Sequence, residues 1–336
     1  MQFKYQIFAL LLLLQFVPAG ADHVWPTPNE AFIQGESVDA FVQPTVSGKV
    51  ESGLFGCVRN GGQKFHEGLD LFPVRRDAHG EANDQIFSIR PGRVVYICDR
   101  PSWSNYGRYV VVQHKNETTA FHSLYAHIAK IDPRIQVGVS VDAGTVLGVM
   151  GRSASGYVIP KSRAHLHFEI GLRLSHDFEA WYQRHDFRSP NRHGSWNGMN
   201  LVSVDPLGFY KALRQKEVTD FNGYLKALPV AARVRVFSNK IPQFIRDNPE
   251  LNKAKDSTGK IVAWDIAFTD FGVPKEWTPR FQYEGLSGEI GEVSIISYAL
   301  ERLKKQTCHR VVNLEGSKPT LSKHTKTTLQ LLFGFH

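Results

Sequence analysis

The sequence predicts a mainly β protein, with an antiparallel β-sheet domain over residues 47–208 and a smaller α+β module over 209–336. Three observations carry this expectation. From Gly53 to about Leu174, short runs rich in β-branched and aromatic residues recur, broken by Gly, Asn and Asp. Helical periodicity is nearly absent over the same stretch. From about Asp205 the texture changes, and strand-like runs share the chain with a helix-like stretch.

Taken in order, Met1 to Ala21 reads as a signal peptide. Lys4 supplies a positive n-region, Ile7 to Val17 an apolar h-region, and Ala19-Gly20-Ala21 a small-residue cleavage site. The apolar run falls short of the roughly 20 residues that span a bilayer, and no second long apolar stretch follows, so the mature chain is expected to be exported and soluble. Residues 22–46 are rich in Pro and polar residues without a sustained period, which predicts an extended lead-in. Arg93–Ile97, Tyr109–Val112, Thr145–Met150 and Leu166–Ile170 read as strands. The aromatic, His-rich stretch from Ser175 to Asn200 predicts a helix and a surface loop. Further on, Arg233–Phe237 and Ile261–Phe268 read as strands. Val293, Ile296, Leu300 and Leu303 would share one face of a helix ending at Lys304 and Lys305, where cations suit the helix dipole.

Composition narrows the function classes. A chain of 336 residues has room for about two domains. With 42% hydrophobic, 21% charged and 12% aromatic residues it is neither disordered, collagen-like nor a disulfide-dense miniprotein. The net charge of +8 comes from scattered basic residues, which suits attraction to an anionic surface such as a cell-wall polymer and gives no sign of a nucleic-acid partner. In an oxidising compartment a pair such as Cys57 and Cys98 would form a disulfide; three buried thiols are the alternative. The absence of C-x-x-C speaks against a Cys-based zinc or redox site.

The chemistry concentrates in His66-Glu67-Gly68-Leu69-Asp70 and, about a hundred residues later, His165-Leu166-His167-Phe168-Glu169. Alternate side chains of a strand share a face, so His165 and His167 converge on one point. The glycine step between His66 and Asp70 lets an imidazole and a carboxylate meet. Three N/O ligands with an open position are the arrangement of a catalytic zinc site, whereas a structural site closes with four. Ser123-Leu124-Tyr125-Ala126-His127 adds a further histidine between the two motifs. His66-Glu67 is not followed by the second histidine of an H-E-x-x-H helix, and Gly151–Ser155 is not a G-x-S-x-G elbow.

At these residues the sequence closely resembles the lysostaphin-type zinc metallopeptidases, the LytM or beta-lytic family, from about Gly53 to Pro206. The resemblance includes Phe65–Asp70, Arg90–Val94, Asn105-Tyr106-Gly107, Leu124–Ile128, Gly148–Gly151 and His165–Ile170. It implies an antiparallel β fold with a long groove and one Zn2+ per chain, held by His66, Asp70 and His167. It also implies that His165 and His127 flank the water that zinc activates. An uncoordinated histidine can take that water's proton and return it to the leaving amine, which makes His165 the general base and His127 its partner, with the reverse assignment open. The implied substrate is the peptide part of peptidoglycan, cut at stem peptides or cross-bridges by an exported endopeptidase, periplasmic or secreted, for which a protein regulator is an expected partner. Two other readings stand beside it: a non-catalytic wall-binding or amidase-regulating protein on the same fold, and a zinc endopeptidase acting on Gly-rich extracellular proteins.

Val74–Asp84 and Gly156–Arg163 depart from the simpler family pattern, and both are expected near the groove rim. Glu169 shares the face of His167, as a supporting carboxylate or a structural ion pair. His114, His122, His176, His185 and His193 match no ligand position. Trp181 and Trp196 read as core before sugar-stacking platforms. The module over 209–336 fits a targeting, lid or partner-binding role equally.

Overall fold

The computed structural model describes residues 23–115, 119–254, 258–314 and 318–335; Met1–Ala21, read above as a signal peptide, lies outside the described residues. The strands of the first part are β1 (Gly56–Arg59), β2 (Lys64–His66), β3 (Leu69–Leu71), β4 (Gln85–Phe87), β5 (Gly92–Cys98), β6 (Tyr109–Lys115), β7 (Ala120–Ala126), β8 (Lys130–Ile131), β9 (Ser140–Val141), β10 (Val146–Val149), β11 (Leu166–Arg173) and β12 (Leu201–Val204). Every pairing between them is antiparallel. The main sheet runs β12-β11-β7-β6-β5-β9, and β3 adds to the edge of β11 that β12 uses further along. The mainly β, antiparallel expectation holds.

β11 is the strand around which the rest is arranged. Seven of its eight residues are buried, so it reads as an unbroken apolar run interrupted only where polar side chains are needed, at His167 and Glu169. Its register puts His167 opposite Asp70 of β3 on one side and opposite Ala126 of β7 on the other. Val110, Val111 and Val112 of β6 are fully buried, as β-branched residues in a covered sheet should be. The helix expected within 175–200 is Phe178–Gln183, and Trp181 and Trp196 are both core residues.

The N-terminal stretch is more ordered than an extended lead-in. It carries a short helix at Ala31–Gln34, and Trp25, Phe32 and Phe41 pack with Tyr210 in one aromatic cluster. Burying rings of this size gains roughly 1.5–3 kcal/mol each, which outweighs the lack of local periodicity.

Beyond residue 209, β13 (Ala232–Phe237), β14 (Ile261–Phe268), β15 (Pro274–Phe281) and β16 (Val293–Tyr298) form an antiparallel sheet of order β15-β14-β13-β16. The expected helix over 293–303 is therefore wrong in its first half. Val293–Tyr298 pairs with β13, and only Leu300–Lys305 is helical, ending at the lysines as expected. A spacing of three fits either element; β-branched Val293, Ile295 and Ile296 beside an open sheet edge decide for the strand.

The two parts share one hydrophobic core that runs from Trp25 to Phe333. Phe121 of β7 stacks on Phe221 at 4.4 Å, and the backbone N–H of Ala120 donates to Asn248. Cys57 is bonded to Cys308, not to Cys98, which is a buried free thiol. The pairing joins β1 to the C-terminal part across 251 residues of sequence, a proximity that spacing along the chain could not reveal. No described helix is long and apolar enough to cross a membrane.

Candidate metal centre

β2 ends at His66 and β3 carries Asp70, with Glu67-Gly68 between them. Gly68 lies so close to β11 that a Cβ there would sit 2.5 Å from the Phe168 carbonyl oxygen, so only glycine lets β3 pair with β11 at this register. The pairing brings His66, Asp70 and His167 together. One ligand atom from each lies within 4.8 Å of the others, and all three residues are buried.

The outer atoms of each residue are held by other groups. His66 Nδ1 is 2.7 Å from the Leu54 carbonyl, which can only accept, so Nδ1 carries the hydrogen and Nε2 faces inward as a bare lone pair. His167 Nε2 donates to Glu169 Oε1 at 2.8 Å, which leaves Nδ1 facing inward. Asp70 Oδ2 accepts from Arg59 at 2.5 Å, and Oδ1 faces inward. The three inward atoms are 3.0–3.2 Å apart. Two imidazole lone pairs and a carboxylate oxygen pointing at one another repel unless a cation sits among them, and this donor set fits zinc. The same field acts on a proton. Burial pulls the His167 pKa down, but its hydrogen bonds to the Asp70 and Glu169 carboxylates and their charge outweigh burial and raise it to about 9. Burial alone would raise the Asp70 carboxyl, yet His66, His165 and His167 hold it well below the usual carboxylate range.

Glu169 is buried and fully engaged. It takes the His167 hydrogen, the Tyr106 hydroxyl at 2.5 Å and the Ser203 hydroxyl at 3.1 Å, and the Tyr106 ring stacks on His167. Its contact with His167 fits both readings weighed for it, a supporting carboxylate and a structural ion pair. Tyr106 and Arg59 gave no individual signal in the sequence, although Tyr106 lies in the Asn105–Gly107 motif.

His127 and His165 stand beside this group, with ring centroids 4.7 Å apart. His127 Nδ1 donates to the Ser153 carbonyl at 2.8 Å and His165 Nδ1 to the Arg163 carbonyl at 2.7 Å, so each presents Nε2 as an acceptor. His165 Nε2 lies 3.6 Å from Asp70 Oδ1. Burial lowers both pKa values, assisted at His127 by His165 and His167 and opposed at His165 by Asp70. Both imidazoles are therefore neutral at neutral pH. His127 has φ 61°, a left-handed conformation uncommon outside glycine and often held in place at functional sites.

These side chains lie in a groove of about 1400 Å³. Tyr157, Val158 and Ile159 line one side, so the 156–163 loop sits where it was expected. The 74–84 segment does not line the groove. It braces the loop from behind, with Arg76 donating to the Lys161 carbonyl at 2.7 Å and Glu81 gripping Arg152 at 2.8 and 2.9 Å. Of the other histidines, His193 lines the groove while His114 and His122 are buried away from it. The C-terminal part supplies Phe271, His309, Lys323 and His324 to the groove, which no sequence pattern foretold.

Residues 64–177 match the model of Peptidase family M23. No curated protein matches the chain. Among solved structures, the lysostaphin catalytic domain of Staphylococcus simulans is 19% identical, with 47% of this chain and 87% of that chain covered, at TM-score 0.29. A putative glycyl-glycine endopeptidase LytM from Ruminococcus gnavus is 22% identical over 47% of this chain and 50% of that one, at TM-score 0.30. A zinc-containing peptidase from Vibrio cholerae is 22% identical over 38% and 35%, at TM-score 0.27. At this level of likeness they bear on neither the substrate nor the mechanism of the present chain. The stretch that matches the model of Peptidase family M23 is the one that carries His66, Asp70, His127, His165 and His167, whose motifs resemble the lysostaphin-type family.

Proposed function

We infer that the protein is a zinc endopeptidase that cuts the peptide part of peptidoglycan. The observation that carries this reading is the buried convergence of His66, Asp70 and His167 at the groove, each with its outer atom already engaged. The family match supports a peptidase, and the basic charge of +8 suits an anionic wall.

In this reading His66 Nε2, Asp70 Oδ1 and His167 Nδ1 would hold the metal. A bound zinc ion supplies Lewis acidity, polarising the scissile carbonyl and making a water acidic enough to attack at neutral pH. His165 accepts the water's proton at Nε2, which is unprotonated because Nδ1–H is committed to Arg163 and burial disfavours the cation. Asp70 nearby steadies the imidazolium that forms, and His165 then returns the proton to the leaving amine. His127 stands on the same side and also presents Nε2 as an acceptor, which makes it the alternative group to take the water's proton. Glu169 and the Leu54 carbonyl would keep the rings of His167 and His66 in the orientation that points one nitrogen of each inward. Export by the Met1–Ala21 segment would bring the enzyme to its polymer.

Digestion of purified peptidoglycan, with products identified by mass spectrometry, tests the reading against a His66→Ala control. New amino termini that appear only with the intact protein are expected, together with one zinc per chain. Bound zinc without cleavage of peptidoglycan, but with cleavage of Gly-rich proteins, would move the substrate; absence of both zinc and cleavage would leave a wall-binding protein.

A further inference from the structure

The C-terminal part builds a wall of the groove beside His66. Three of its segments meet there: the β14–β15 turn with Phe271 and Gly272, the stretch around Cys308, and the first turn of the helix Lys323–Phe333. Phe65, the neighbour of His66, stacks on His309 at 4.4 Å and lies 5.2 Å from Phe271. The Cys57–Cys308 bond and the hydrogen bond from His309 N–H to Cys57 Sγ hold this wall against β1 and β2.

Within the wall lies a polar niche without an internal partner. His309 and His324 are in ring contact at 3.8 Å. Their Nε2 atoms both face the Cα of Gly272, where an added Cβ would sit 3.0 Å from His324 Nε2 and 3.8 Å from His309 Nε2. His324 Nε2 is buried and makes no hydrogen bond among the described residues. A buried imidazole nitrogen left unsatisfied is a cost that a partner reaching it would remove. Burial lowers His324 to about 4, and burial with the neighbouring His324 lowers His309 to about 3, so both are neutral hydrogen-bonding groups rather than charges at neutral pH.

The charge comes from the rim. Lys323 is exposed at the first turn of its helix, where the dipole disfavours a cation, so helix stability does not account for it. Lys64 and Arg163 line the same groove, and neither they nor Lys323 pairs with a carboxylate among the described residues. Apart from Asp70, which Arg59 already holds, Glu67 is the groove's acidic residue.

We propose that this wall is a specificity subsite in which Lys323 and His324 receive a carboxylate of the peptide substrate, so that the enzyme selects acidic peptides over uncharged Gly-rich ones. The proposal rests on the peptidase reading above and names its substrate class. The carboxylate belongs either to an acidic side chain or to the free C-terminus of the peptide, and the niche treats them alike.

The test is calorimetric binding of three synthetic peptides to the full, zinc-loaded protein: one with both carboxylates free, one amidated at the acidic side chain and one amidated at the C-terminus. Cleavage of each is followed separately. A charge-assisted hydrogen bond sets the expected loss on amidation of the recognised carboxylate at about tenfold or more in Kd. Lys323→Met and His324→Asn, each checked for folding by circular dichroism, should bring that ratio towards one. Whichever amidated peptide shows the loss identifies the source. Equal binding of all three, no binding of any, or a preference kept in both variants would overturn the subsite. Preferential binding without cleavage would overturn the peptidase reading and leave the subsite standing; cleavage of all three at equal efficiency would do the reverse.

Discussion

Replacing Glu169 by Gln tests how His167, a proposed metal ligand, is held. The side chain keeps its volume and an acceptor oxygen but loses the charge that receives the His167 hydrogen at 2.8 Å and the Tyr106 hydroxyl at 2.5 Å. A hydrogen bond to a charged partner is worth about 1.5–3 kcal/mol against about 1 for a neutral one, and the buried anion also attracts the cation held on the far side of the ring. The sum is about 1.5–3 kcal/mol, or roughly 10–100-fold in zinc affinity. Competition with a chromophoric chelator measures the affinity. The zinc-dependent gain in stability should shrink by the same free energy, since it equals RT ln(1 + [Zn]/Kd). Glu67→Gln, on the exposed neighbour of His66, is the control and should leave zinc affinity within about twofold. Unchanged affinity in Glu169→Gln would refute the reasoning, because the carboxylate would then be a structural ion pair with no hold on the ligand.

Three further outcomes are expected. His165→Ala should keep stoichiometric zinc while kcat/KM on peptidoglycan peptides falls by about 10²–10⁴, the range of a lost general base; retained activity would move the base role to another group. Cys308→Ser should lower unfolding stability by about 2–5 kcal/mol in denaturant melts, because the bond closes a very long loop, and a loss below about 1 kcal/mol would show that the core alone secures the C-terminal part. His122 is buried with neither ring nitrogen hydrogen-bonded among the described residues, and burial lowers its pKa to about 4. Between about pH 6.5 and 4 the unfolded chain binds a proton there that the folded chain refuses, so stability falls as pH falls, by about 1.4 kcal/mol per unit. His122→Phe should therefore lose about 2–3 kcal/mol less than wild type between pH 7.5 and 4.5, and identical losses in urea melts would refute the assignment.

Much of the fold and the centre of the site were legible because they are written in local periods. A strand alternates every second residue, so His165, His167 and Glu169 could be assigned to one face before any coordinates existed. The H-x-x-x-D step around Gly68 likewise brings its two ends together over a short stretch of chain. Where local pattern was ambiguous the expectation failed, as at 293–298, where a spacing of three served a strand whose partner β13 lies about sixty residues away.

By itself the sequence determined the β character, the order of the motifs and the set of groups proposed to hold a metal and move a proton. Tertiary structure alone decided what surrounds them: Leu54 and Glu169 orienting the rings, Arg59 on the carboxylate, Cys57 joined to Cys308, and His309, Lys323 and His324 forming the wall beside His66. The physical reason is that alternation and turn chemistry act over a few residues, whereas these contacts close loops of tens to hundreds of residues. Which distant segments meet is settled by the packing of a core shared from Trp25 to Phe333.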